Sequence, residues 1–167
     1  NSITYNRCCG EPGVTQTTVL LAGGISIISK NTTIKNNIIT NVADGIELLA
    51  YSKSNTIIHN EIKNNQIGIE ALSSVNNNIS NNILLNNSQY NIYLSTDSDT
   101  NNVSFNIMDN STYGIRIKAS LHNNVYKNCI KNNDIGIYCC CNATKNYFYN
   151  NTIFNNSVRN AQENSGL

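Results

Sequence analysis

A chain of 167 residues, 40% of them hydrophobic, suits one domain with a core of its own. A formal net charge of +1 with only 13% charged residues leaves no electrostatic footprint for nucleic acid or an anionic membrane surface. No apolar run approaches the roughly 20 residues that cross a bilayer, and the longest, residues 19–28, is broken by Gly23 and Gly24.

The chain begins with Asn1, as it would after removal of a leader or in a fragment. A degenerate phrase, Ile3-Asn6-Cys8, comes first, and a turn-rich insertion loop follows at 10–22, holding the only proline, Pro12. From there one phrase recurs. An apolar residue is followed by Asn three positions on, a second apolar residue, a second Asn and then an apolar-Gly-Ile element. The copies are Ile34-Asn37-Ile39-Asn41, Ile57-Asn60-Ile62-Asn64, Ile79-Asn82-Leu84-Asn86, Val103-Asn106-Met108-Asn110, Val125-Asn128-Ile130-Asn132 and Phe148-Asn151-Ile153-Asn155. They start 23, 22, 24, 22 and 23 residues apart. The second half keeps step as Gly24-Ile25, Gly45-Ile46, Gly68-Ile69, Asn91-Ile92, Gly114-Ile115 and Gly136-Ile137. The repeat ends near Asn160, so the reading is one domain over 1–160 and a short tail at 161–167.

A period of 22–24 residues admits few architectures. Leucine-rich repeats share the length but need a longer leucine pattern, and no window holds helical spacing over three turns. Apolar residues instead alternate in short runs punctuated by Asn and Gly, the grammar of strand and turn. The fold class expected is all-β, a parallel β-helix (β-solenoid) of about seven coils with asparagine ladders. Equivalent residues on neighbouring coils lie about 4.8 Å apart, so an Asn at a bend can pass amide hydrogen bonds to the Asn above and below. Asn also tolerates left-handed backbone. Two ladders follow, Asn37, Asn60, Asn82, Asn106, Asn128, Asn151 and Asn41, Asn64, Asn86, Asn110, Asn132, Asn155. Ile34, Ile57, Ile79, Val103, Val125 and Phe148 are expected to stack inward.

The phrase N-x-I-x-x-N-x-I-x-x-N-x-x-x-G-I resembles the right-handed parallel β-helix repeats of carbohydrate-binding and sugar-hydrolase modules. It is also similar to repeats of the periplasmic β-helix protein that serves nitrous oxide reductase maturation and of many archaeal surface proteins. The resemblance covers nearly all of residues 24–160 and implies the right-handed fold; such solenoids host many functions. Within the group, the asparagine-rich, charge-poor, cysteine-bearing composition looks most like the sheath or surface-layer proteins of methanogenic archaea.

The outward position after Gly-Ile stacks Ser26, Glu47, Glu70, Tyr93, Arg116 and Tyr138 on one face. Glu47 and Glu70, about 5 Å apart, match the spacing of a retaining carboxylate pair, but a solvated sheet explains them as well, and the expectation is no enzyme. Tyr93 and Tyr138 could stack on sugar rings. Asp97 and Asp99 could hold calcium in a turn, although that turn needs no ion. Cys139, Cys140 and Cys141 point to alternating sides of a strand, and His59 and His122 have no cysteine at ligand spacing, so neither metal nor cofactor is expected. Six cysteines suit an oxidising, extracellular or cell-surface setting. Cys8 and Cys9 lie five coils, about 24 Å, from Cys129 and the triplet, too far for a bond within one rod. Cys8 and Cys139 read as core, and Cys9, Cys129 and Cys140 as candidates for bonds between subunits, with Cys141 a further thiol. Eight glycosylation sequons (Asn31, Asn78, Asn86, Asn102, Asn110, Asn142, Asn150, Asn155) arise readily by chance in such a composition, and Asn86, Asn110 and Asn155 fall in a ladder expected to be interior. With little chain left for caps at either end, the function expected is a structural subunit of an extracellular sheath or surface layer. It would self-assemble as a homo-polymer through open solenoid edges and intersubunit disulfides, with surface glycans as further partners. The alternative is a carbohydrate-binding or carbohydrate-cleaving β-helix module.

Overall fold

The computed structural model describes residues 2–4, 7–9 and 24–164, with side chains from 24 to 163. The insertion at 10–22 lies outside the described residues. Each coil contributes one short strand to each of three seven-stranded sheets, and every pairing between neighbouring coils is parallel. The architecture is the right-handed parallel β-helix, without helix among the described residues. The first sheet carries strands such as Asn78–Ser80 and Asn102–Ser104, and the second Ile83–Leu85 and Ile107–Asp109. The third sheet has the longest strands: Asp44–Leu48, Ile67–Leu72, Tyr90–Ser95, Tyr113–Lys118, Ile135–Cys140 and Arg159–Asn164 follow the short Ile25–Ile27. Arg159–Asn164 thus runs through residue 160 into the segment read as a tail.

Inward residues stack in columns. Ile34, Ile57, Ile79, Val103 and Val125 are fully buried, as are Ile39, Ile62, Leu84, Met108 and Ile130 across the core. Burying one such side chain contributes about 1.5–3 kcal/mol before entropy is charged. Phe148 continues the column in register with Val125 but is 41% exposed. The inward stack expected to include it stops short, because no described coil covers its far side.

Asparagines tie the coils together at the bends. Each backbone N–H of Asn37, Asn60, Asn82, Asn106 and Asn128 donates to the side-chain Oδ1 of the Asn one coil later, at 2.9–3.0 Å, ending on Asn151. The side-chain Nδ2 of each donates to the same oxygen. A further row, Thr32, Asn55, Asn77, Asn101, Asn123 and Asn146, repeats the backbone-to-Oδ1 bond at another corner. Sequence reasoning did not find this row.

The second expected ladder is corrected by one residue. Asn41, Asn64, Asn86, Asn110, Asn132 and Asn155 all have left-handed backbone, φ 53–59°, and point to solvent. Some bond one another there, as Asn110 to Asn86 at 2.9 Å, but the inward rungs are the next residues, Asn65, Asn87 and Asn133, all buried, and Asn156, half-buried on the last described coil. Asn can adopt the left-handed turn at modest cost, and that conformation swings the following residue inward. Sequons at Asn86, Asn110 and Asn155 are therefore on the surface.

One rung of this inner row is missing. Ser111 stands where Asn is expected, and its hydroxyl is buried without a partner. Asn91, which replaces the glycine of the repeat, fills the gap: its Oδ1 accepts from Asn87 Nδ2 at 2.9 Å, and its Nδ2 donates to Asn133 Oδ1 at 3.2 Å. Elsewhere that position has no room for a side chain. A Cβ on Gly68 would lie 2.5 Å from the Asn91 carbonyl oxygen and 2.8 Å from Leu84.

Candidate functional site

Outward side chains of the third sheet form two adjoining patches. Registers align Ser26, Glu47, Glu70, Tyr93, Arg116, Tyr138 and Gln162 in one column. A flanking column holds Asp44, Ile67, Tyr90, Tyr113, Ile135 and Arg159. Both Gly45 and Ile46 face inward, so alternation fails at the glycine and Asp44 emerges on the same side as Glu47. The same break brings out Tyr90 beside Tyr93 and Tyr113 beside Arg116. Sequence reasoning missed Asp44, Tyr90 and Tyr113 because strict period-two counting puts them in the core; the repeated Gly just before the inward Ile was the available signal.

Carboxylates make the first patch. Ligand oxygens of Asp44, Glu47 and Glu70 lie within 4.8 Å of one another, and Ser26 Oγ donates to Glu47. Burial, reinforced by the Glu47 charge, pushes Asp44 up to about 6. Burial and then the charges of Asp44 and Glu47 push Glu70 up to about 7. Like charges this close in a half-buried site resist full ionisation, so the cluster holds a proton near neutral pH.

The second patch is a tyrosine cage around one guanidinium. Tyr90 and Tyr93 stack at 4.7 Å, and Tyr113 lies 5.3 Å from Tyr90 and 5.6 Å from Tyr138. Arg116 Cζ sits 5.5, 5.5, 5.6 and 5.7 Å from the centroids of Tyr90, Tyr93, Tyr113 and Tyr138. Its Nη1 donates to Tyr90 Oη at 2.7 Å, its Nη2 contacts Cys140 Sγ at 3.9 Å, and its Nε is buried without an acceptor. Ring faces attract the cation but supply no countercharge. Among the described residues, the ion pairs are Lys63 with Glu61 and Lys131 with Asp109.

Other candidates are placed apart. Asp99 accepts from the Leu121 backbone N–H of the next coil at 2.6 Å while Asp97 is exposed on its turn, so Asp99 ties two coils together. His59 and His122 are exposed at separate corners. Cys129, Cys139, Cys140 and Cys141 are free thiols. Cys139 packs in the core, where burial pushes its thiol up to about 12. Cys140, expected outward and available, is only 3% exposed beneath Arg116 and the coil's corner. Cys141 is exposed at a left-handed turn, Cys129 is half-buried on the second sheet, and the backbones of Cys8 and Cys9 are in register with Ile39 and Thr40.

Residues 16–166 match the family described as periplasmic copper-binding protein (NosD). No curated protein matches the chain in sequence. Among solved structures, a single-substitution mutant of the periplasmic alginate epimerase AlgG is similar with a TM-score of 0.67 and 25% identity, over 71% of this chain and 30% of that one. The unsubstituted AlgG gives a TM-score of 0.62 at 17% identity, over 79% of this chain and 44% of that one. The Azotobacter vinelandii mannuronan C-5 epimerase AlgE6 A-module gives 0.60 at 14% identity, over 80% and 45%. At 17% and 14% the likeness is one of fold, and the chain spans less than half the length of each of these proteins. The family description invites a test for copper, which favours imidazole and sulfur donors. Met108 is sealed in the core, the histidines stand apart, and the one three-residue cluster of ligand-type side chains among the described residues is all oxygen. These residues do not fit a copper centre.

Proposed function

Because the chain belongs to the family of periplasmic copper-binding protein (NosD) β-helices, we propose that it is a periplasmic or extracellular module that binds carbohydrate across the outer face of its third sheet. One observation carries this reading: three carboxylates, four tyrosines and an arginine converge on a single face of one sheet. Such a face repeats every ~4.8 Å along the rod, a step comparable to one pyranose unit in a chain. Carboxylates and phenols offer the mixed acceptors and donors that sugar hydroxyls need, and the flanks of the tyrosine rings offer apolar contact. The alginate epimerases similar in fold act, by their names, on a polysaccharide, which supports the substrate class. The reading is one of binding, with no catalytic step assigned. Titration calorimetry against a panel of oligosaccharides should detect binding that Tyr93→Ala with Tyr138→Ala weakens at least tenfold. Binding untouched by the double substitution would remove the face from the account.

A second reading, a self-assembling surface-layer or sheath subunit, is favoured by apolar surface on the last described coil. Strands Tyr147–Tyr149 and Thr152–Phe154 leave Phe148 and Phe154 exposed, and a cavity of about 350 Å³ opens between Ile137, Cys139, Phe148, Ile153 and Ala161. Unpaired strand edges are templates for pairing. With Cys140 covered, Cys129 and Cys141 are the candidates for bonds between copies among the residues with described side chains, and the side chain of Cys9 lies outside them. Sedimentation of purified protein with and without reductant separates the readings: concentration-dependent polymers support assembly, whereas a monomer at all concentrations rejects it.

A further inference from the structure

We infer that the sugar taken by this face is anionic, and that Arg116 is the residue that selects its carboxylate or sulfate group. The inference rests on the carbohydrate reading above and names the ligand class. A half-buried charge without a countercharge is costly to retain, and Arg116 has no carboxylate partner among the described residues. Glu70, the nearest acid in its column, is two coils away, with Tyr93 between them. Meanwhile four ring faces hold the guanidinium in place, so it is ordered before any ligand arrives, and ordering in advance favours affinity.

Its donors are incompletely used. A guanidinium has five N–H groups. Tyr90 Oη and Cys140 Sγ take one from each Nη, and Nε has no acceptor. One further hydrogen on each Nη remains to donate, and two oxygens of a carboxylate or sulfate can accept from both nitrogens. A neutral hydroxyl could take one of these hydrogens but would leave the charge uncompensated. Neighbouring residues reinforce the sign. Lys118 lies two residues along the same strand, and Arg159 ends the flanking column, while the carboxylates gather at the other end of the face. The face is therefore polar along the rod: an anionic chain seats on the Arg116 end and meets repulsion at the acidic end.

The test compares three ligands of equal length by calorimetry: an oligouronate, its carboxyl-reduced neutral counterpart and a sulfated oligosaccharide. Each is titrated into the wild type, Arg116→Gln and Arg116→Lys. At low salt the wild type should bind one anionic oligomer at least tenfold more tightly than the neutral one, and the arm that binds identifies carboxylate or sulfate. Arg116→Gln should abolish that preference, so that anionic and neutral oligomers bind it within about twofold of each other, and Arg116→Lys, which keeps the charge without the fork, should restore only part of it. Should Arg116→Gln fail to fold, the wild type still decides, since its anionic binding must weaken with added salt more steeply than its neutral binding. Equal binding of neutral and anionic oligomers, or an anionic preference that survives Arg116→Gln, overturns the inference and leaves the carbohydrate reading standing. Failure of every oligomer to bind the wild type overturns both.

Discussion

Asn91 and Ser111 show how one residue can stand in for another a coil away. Asn91 occupies a place where the other repeats have glycine, and its amide takes up the bonding of the asparagine that Ser111 replaces. Asn91→Gly alone should leave Asn133 Oδ1 without the Asn91 donor and Asn87 Nδ2 with only the Ile62 carbonyl, at about 1–3 kcal/mol for a buried group left unpaired. Ser111→Asn alone should force two amides into one site, costing about 1–3 kcal/mol. The double substitution should return to within about 1 kcal/mol of the wild type, because it rebuilds the regular rung; denaturant unfolding of the four proteins measures the coupling. Additive effects would reject the compensation. At this scale the chain was readable in type and less so in place. In the Asn37 to Asn151 row the turn residue before the rung varies, with His59, Phe105 and Lys127 preceding Asn60, Asn106 and Asn128, so only one register is asparagine throughout. The other row falls on Asn-Asn pairs such as Asn64-Asn65 and Asn132-Asn133, where the turn residue and the buried rung are the same amino acid and only backbone conformation distinguishes them.

The strands of the third sheet set the chemistry of the face. Their period was evident from the Gly-Ile element, and so was the column from Ser26 to Tyr138. Half the site was hidden because the inward glycine breaks alternation, turning Asp44, Tyr90 and Tyr113 outward. The cysteine triplet misled for a related reason: alternation does put Cys140 on the outer side, but Arg116 from the preceding coil covers it. The acidic strands also make stability depend on pH. Asp44 and Glu70 titrate in the folded protein near 6 and 7, above their usual values of 3.8 and 4.5. Between those limits the folded state binds more protons than the unfolded one, so stability falls as pH rises. The penalty is absent below about pH 4 and complete above about pH 7. Melting temperature should therefore rise as the buffer is taken from pH 8 to pH 5, and Glu70→Gln should flatten the curve. A Glu70→Gln protein with unchanged pH dependence would show that the cluster relaxes apart in solution.

Along the whole rod, coils pair with their neighbours, and the Asn91–Asn133 bond is a contact that skips a coil, so stability is close to a sum of coil and interface terms. Interior coils have two such interfaces. The coil of Tyr147–Tyr149 and Thr152–Phe154 is sealed on one side only, and its first-sheet strand is exposed throughout. Native-state hydrogen exchange should rank the amides accordingly, slowest around Ile79 to Ile117 and fastest from Tyr147 onward. Uniform protection would mean that the far side is covered in solution, as the assembly reading requires. The ladders add a direction to this rod. In each one the earlier coil supplies the backbone N–H and the later coil the oxygen that receives it. A rung is thus complete only when the next repeat has arrived. A chain emerging amino-terminus first, from a ribosome or an export channel, closes each coil one repeat behind the residues then emerging, and every closure resists backsliding.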